Sequence, residues 1–177
     1  MRILVLNGSP RANGNTEILS EAFRKGAEEA GNEVEVVNLR GKKIGGCLAC
    51  KYCFSHGGQC VQQDDMQDIL AKLDEADMLV LSSPIYWFDI TAQLKAAIDR
   101  MYAKASVGFH LDKTALLLNS GADHVYDAAI AQYKAMTSYL KWEDKGIVTA
   151  PNMVEKGSAR QSPALQQAYE LGLSLTA

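Results

Sequence analysis

The densest chemistry in this sequence is CLACKYCFSHGGQC, which holds all four cysteines of the chain. Cys47, Cys50, Cys53 and Cys60 are separated by two, two and six residues. Three thiols within seven residues can hold three corners of a cubane, with Cys60 as the fourth. Gly57 and Gly58 let the chain fold back between them. Four thiolates suit an iron–sulfur cluster of the 4Fe–4S type or a tetrahedral zinc ion. The rival reading is a set of free thiols in a loop that covers a bound group or a subunit contact. His56 lies in this loop and is expected to be exposed rather than a ligand.

A second cluster of chemistry follows the apolar run ILVL: the loop GSPRANGNT, Gly8 to Thr16. A phosphate needs several N–H and O–H donors aimed at one point, and a helix start supplies N–H groups and a favourable dipole. Ser9, Asn15 and Thr16 add short polar side chains, Arg11 adds charge, and Gly14 permits close backbone approach. A P-loop needs Lys before its final hydroxyl, and Asn15 stands there instead, which disfavours a triphosphate. The alternative is a simple strand–helix turn. Two further loops follow apolar runs. SSPIYWFD carries Pro84, which fixes a turn after the strand, Tyr86 and Trp87, suited to pack on a flat ring or stand at its rim, and Phe88, expected to fill core or a subunit interface. NSGAD offers Asn119, Ser120 and Gly121 as small polar contacts, or as another plain turn. No Ser/His/Asp order and no convincing carboxylate pair emerges. His110 and His124 read as loop residues, Asp64 and Asp65 as a helix N-cap cluster, and Asp99–Arg100 as a helix-orienting salt bridge.

These loops need elements to position them. Apolar runs at Ile3–Leu6, Met78–Ser82, Ala115–Asn119 and Gly146–Ala150, with an alternating run at Glu33–Asn38, predict five strands. Helical patterns lie at Thr16 to about Ala30, Asp65–Asp74, Thr91–Ala103, Asp127–Leu140 and Ala164–Leu175. Asn15 or Thr16 is expected to cap the first helix, and Gly31 to end it. Strands alternating with helices imply an α/β sandwich of three layers around a parallel sheet. The expected strand order is 2-1-3-4-5, the flavodoxin-like order, with ligands outside the carboxyl ends of strands 1 and 3. One domain over residues 1–177 is expected, with residues 40–64 as a cysteine-rich loop insertion.

With 177 residues, 47% of them hydrophobic, the chain can bury one core. A net charge of -3 argues against nucleic-acid binding. No apolar run nears the ~20 residues of a membrane span, and MRILVLNGSP lacks signal-peptide character. A cytoplasmic protein is expected, and there clustered cysteines point to metal or redox chemistry rather than a structural disulfide.

GSPRANGNT, SSPIYW with LKAAIDR, and GCLACKYC with its following Cys and DDM occur in an order that resembles the NADPH-dependent FMN reductase and iron–sulfur flavoprotein group. The likeness covers most of residues 1–122. It implies FMN, with phosphate on Ser9, Arg11, Asn15 and Thr16, the ring against Pro84, Ile85, Tyr86 and Trp87, and further contacts from Asn119, Ser120 and Gly121. It also implies NAD(P)H as co-substrate and a small electron acceptor: flavin, quinone, azo or nitro compound. A ferredoxin-like donor is implied if the cysteines hold a cluster. Relatives with a similar cysteine loop resemble plain FMN reductases, so that choice stays open. A homodimer or homotetramer follows from the same analogy. The chain has no GxGxxG, so a nicotinamide must approach from an open face. Two other classes compete: a flavodoxin-like electron carrier, and a flavin-free thiol or metal redox sensor.

Overall fold

The computed structural model describes residues 1–176. Among them five strands are β1 (Arg2–Asn7), β2 (Glu33–Asn38), β3 (Met78–Pro84), β4 (Lys113–Asn119) and β5 (Glu143–Ala150). The helices are α1 (Asn15–Glu29), α2 (Tyr52–Ser55), α3 (Met66–Glu75), α4 (Ala92–Arg100), α5 (Asp127–Leu140) and α6 (Pro163–Leu173). All pairings are parallel, in the order β2-β1-β3-β4-β5. This is the flavodoxin-like sheet expected above. Ala177, the last residue of the expected domain, lies outside the described residues.

The three layers follow from the period-2 alternation of the strands. On one face Leu4, Leu6, Leu79, Leu81, Leu116 and Leu118 bury against α3, α4 and α5. On the other, Ile3, Val5, Met78, Val80, Ala115 and Leu117 bury against α1 and α6. With both faces covered, every residue of β3 is buried, which is why the central strands read as unbroken apolar runs. α6 lies unusually close to α1. A Cβ on Gly26 would sit 2.0 Å from the Tyr169 carbonyl oxygen, and one on Gly172 would sit 2.1 Å from that of Phe23. Only glycine permits this approach.

Several expected boundaries move, each for a local reason. β5 begins at Glu143, since its polar first half lies on a sheet edge where apolar patterning is weak. α4 ends at Arg100 and tightens into a 3₁₀ turn over Met101–Ser106. The cysteine loop contains one helical turn, α2, where only loop was expected. Among the described residues, no helix is long and apolar enough to cross a membrane.

Candidate functional site

The carboxyl ends of β1, β3 and β4 open into a crevice of about 210 Å³. Its walls come from Ser9, Arg11, Gly14, Asn15 and Thr16, from Pro84, Ile85 and Tyr86, and from Asn119, Ser120 and Gly121. The three predicted loops therefore do meet at the switch point. The crevice is open, not filled by the protein's own side chains.

The first loop is shaped by a residue that sequence reasoning passed over. Asn7, fully buried at the end of β1, accepts the Ser9 amide at 2.9 Å and donates to Asn38 at 2.8 Å. The Arg11 amide then donates to Ser9 Oγ at 3.2 Å, which closes a tight turn. The expected side-chain cap on α1 is absent. Gly14 occupies the cap position, and Asn15 and Thr16 already lie inside the helix. The first intrahelical bond runs from the Ile18 amide to the Gly14 carbonyl at 3.1 Å. The amides of Asn15, Thr16 and Glu17 precede it and have no intrahelical acceptor. A helix start left uncapped at the floor of a crevice presents N–H groups and partial positive charge to an anion.

The side chains of Asn15 and Thr16 are turned to other work. Thr16 Oγ1 donates to Asn119 Oδ1 at 2.6 Å, joining the first and third loops. Ser20 Oγ donates to Ser82 Oγ at 2.8 Å beneath them. Asn15 grips the loop after β5. Its Nδ2 donates to the carbonyls of Glu155 at 2.9 Å and Met153 at 3.2 Å, and its Oδ1 accepts the amides of Gly157 at 2.9 Å and Ala159 at 3.1 Å. This fourth loop brings Met153, Val154 and Lys156 to the crevice wall. None of the three was among the expected site residues. A signal existed: residues 151–157 follow a parallel strand, so they must emerge at the same sheet end as the other loops. Arg11 and Lys156 are exposed crevice-lining cations that make no salt bridge among the described residues.

The second loop carries aromatics on a tight turn. Tyr86 and Asp89 exchange backbone hydrogen bonds of 2.9 and 3.3 Å around Trp87 and Phe88, whose φ angles are 50° and 70°. Two successive left-handed residues make a mirror-image hairpin turn, which favours Asn-Gly and costs bulky residues about 1–3 kcal/mol each. Trp87 is 92% exposed and stands at the rim without lining the crevice. Phe88, expected in core or interface, is 58% exposed in the single chain. In the third loop, Ser120 Oγ bonds Tyr126 Oη at 2.9 Å, and burial pushes the Tyr126 hydroxyl up from its ordinary pKa, keeping it protonated.

The four cysteines line one second, small cavity of about 20 Å³. Cys47 and Cys50 are exposed, Cys60 is half-buried and Cys53 is buried. Ala49 and Lys51, which flank Cys50, take left-handed φ angles of 52° and 59°, and the Ala49 amide donates to Cys47 Sγ at 3.4 Å. These turns wind the chain so that successive cysteines face the same space. The donor set thus fits a thiolate-bound group, although no three ligating side chains among the described residues are gathered closely enough to hold an ion. The cavity has room for about one water, so a larger group must spread the sulfurs.

Arg100 also lines this cavity. Contrary to expectation it does not pair with Asp99, which binds Lys95 one helical turn back. Instead its guanidinium turns inward, with 1% exposure, and grips Asp64 at 2.6 and 2.9 Å and the Gly45 carbonyl at 3.0 Å. Burial works against its charge, but the bond to Asp64 and the neighbouring Cys60 sulfur raise its pKa overall. Burial likewise pushes the Asp64 carboxyl up, yet hydrogen bonds from Arg100, Gly45 and Met66 hold it below the ordinary range. Asp64 and Asp65 were expected to cap α3. Asp64 Oδ1 does accept the Met66 amide at 3.1 Å, whereas Asp65 binds the Lys43 amide at 2.5 Å and caps nothing.

Fold and crevice together define a class: doubly wound, flavodoxin-like α/β proteins with an anion-ready first turn at the switch point. Residues 1–148 match the NADPH-dependent FMN reductase family, and the chain belongs to that family. It is 42% identical over 101 residues to an iron-sulfur flavoprotein from Archaeoglobus fulgidus, a stretch covering 57% of this chain and 46% of that protein. The match thus spans about half of that relative's length. Among solved structures it resembles an NAD(P)H:quinone oxidoreductase from Methanothermobacter marburgensis (TM-score 0.78, 21% identity, 100% of this chain and 96% of that one). It also resembles an FMN-dependent NADH-azoreductase from Bacillus anthracis in complex with FMN (TM-score 0.75, 18% identity, 99% of each chain).

Proposed function

We propose that the chain binds FMN in the strand-end crevice and passes electrons from NAD(P)H to a small acceptor: a flavin, quinone, azo or nitro compound. The carrying observation is the uncapped start of α1 at the floor of an open crevice lined by two unpaired cations. Family membership and the FMN-complexed structural neighbour support the reading. The backbone amides at the start of α1 hold the phosphate, with Ser9 and Thr16 beside them and Arg11 and Lys156 supplying charge. Ser120 and Asn119 face the polar chain, and Pro84, Ile85 and Tyr86 support the ring, with Trp87 at the rim. FMN, once bound, supplies the hydride and electron chemistry, so the protein's part is position, electrostatics and exclusion of water. No side-chain acid or base is needed. The exposed Trp87 and Phe88 support a second copy of the chain as their cover, in a homodimer or homotetramer.

The test compares binding of FMN and riboflavin by the apoprotein. Arg11→Gln and Lys156→Gln should each weaken FMN about five- to tenfold, near 1–1.4 kcal/mol, and leave riboflavin binding unchanged. NAD(P)H oxidation by the FMN-loaded protein, with quinone and azo acceptors, then reads the activity. A chain that retains no FMN at micromolar concentration sinks this function.

A second reading is favoured by one observation, the shared cavity of the four cysteines. In that reading Cys47, Cys50, Cys53 and Cys60 hold a 4Fe–4S cluster, and a ferredoxin-like partner can deliver single electrons. The names of relatives such as the Archaeoglobus fulgidus protein support it.

A further inference from the structure

Arg100 has the least expected environment in the molecule. Guanidinium groups are rarely fully buried unless paired, and this one is 1% exposed yet only partly satisfied. Its Nη1 and Nη2 are engaged by Asp64 and Gly45, but its Nε–H has no hydrogen-bond partner. A buried donor left unmade is costly, and charge-bearing donors most of all. The side chain lines the same cavity as all four cysteines.

Its two partners bracket that loop. Gly45 lies just before Cys47, and Asp64 lies four residues after Cys60. Asp64 also accepts the Gly45 amide at 3.0 Å, so arginine, carboxylate and both loop ends form one closed set of bonds. The set is anchored at the end of α4, whose Leu94 and Ala97 are buried against the sheet. By contrast, Cys47 and Cys50 are exposed and carry no comparable tether.

We propose that Arg100 is the positioning residue of the cysteine site. It clasps both ends of the loop through Gly45 and Asp64, and it offers an unpartnered N–H and a fixed positive charge to the sulfur-bound group in the cavity. The proposal rests on the reading that the cysteines hold an iron–sulfur cluster. An N–H donor and a buried cation beside a cluster stabilise its more negative, reduced state, so Arg100 raises the reduction potential as well as retaining the metal.

The experiment uses the full chain, reconstituted anaerobically with ferrous iron and sulfide. Wild type, Arg100→Met and Arg100→Lys are compared for iron and sulfide per chain, rate of iron loss to a chelator, and reduction potential. Arg100→Met should lose iron about 10–100-fold faster, in the range of supporting-partner losses at metal sites, and any cluster it keeps should have a lower potential. Arg100→Lys keeps the charge but not the fork, so it should fall between. FMN content reports whether the sheet is intact. If Arg100→Met fails to fold, Arg100→Lys decides: faster iron loss at unchanged FMN content supports the proposal. Retention and potential equal to wild type in a folded variant overturn it. A wild-type chain that takes up no iron or sulfide overturns the cluster reading, and the proposal with it, while leaving FMN binding untouched.

Discussion

The strand-end crevice and the cysteine loop are both built from loops, yet they are held in opposite ways. In the crevice, Thr16, Asn119, Ser20 and Ser82 are buried and joined by short hydrogen bonds, and a further set from Asn15 fixes the loop after β5. Many modest bonds share the task, and the site stands ready before anything enters. In the cysteine loop, the bonds gather at the two ends, where Arg100 grips Asp64 and Gly45, Lys43 and Asp65 exchange two bonds and Gln62 donates to Gly46, while the sulfurs between them are half free. A distributed site should degrade gradually under substitution. A site held only at its two ends should fail when those ends are released, above all at the buried Arg100–Asp64 pair, and tolerate change between them.

The strongest test of this contrast is remote from both sites. Gly172→Ala drives a methyl into the backbone of α1 and should cost about 3 kcal/mol, the upper range for overpacking. Urea unfolding measures that loss. FMN affinity should fall with it, since the first turn of α1 floors the crevice, while iron uptake by folded protein should not change. Equal damage to both properties would erase the distinction.

Asn15→Ala should come next. It leaves the Gly157 and Ala159 amides without their acceptor and should cost about 2 kcal/mol. Hydrogen exchange over residues 151–160 should rise, and FMN should dissociate faster. Asn15→Asp keeps the acceptor and loses the donor, so it should lie between. An unprotected loop in the wild type, indistinguishable from Asn15→Ala, would show that the latch is idle.

The smallest expected effect is a titration. The folded pKa of Asp64 lies below its ordinary 3.8. Its contribution is therefore complete above about pH 4 and is lost as the pH falls through the depressed value. The amide resonances of Gly45 and Met66, both bonded to this carboxylate, should shift with a midpoint below 3.8. Crevice amides around Asn15 should not follow. A midpoint at or above 3.8 would mean the clasp does not hold in solution.

How much of this was readable from residue order depends on range. Central strands announced themselves because parallel sheets bury both faces, and the topology then fixed which loops meet. Side-chain partners were a different matter. Asn15 looks the same in sequence whether it faces a phosphate or holds a loop some 140 positions away, and only the tertiary fold distinguishes them. Arg100 follows Asp99 directly, so the nearest opposite charge suggested itself. Successive helical residues point about 100° apart, however, and cannot face one another. The edge strand β5 and the loop after it were underestimated because exposure had removed the apolar signal.

Trp87 and Phe88 bear on anyone seeking a hardier version of this protein. A search for uncomfortable backbone would select that pair first, and Asn-Gly in its place should raise the melting temperature of the isolated chain. The same exchange strips the crevice mouth of its largest aromatic surface. At this hairpin, ruggedness and usefulness pull apart, and thermal robustness alone is a misleading score by which to choose a variant.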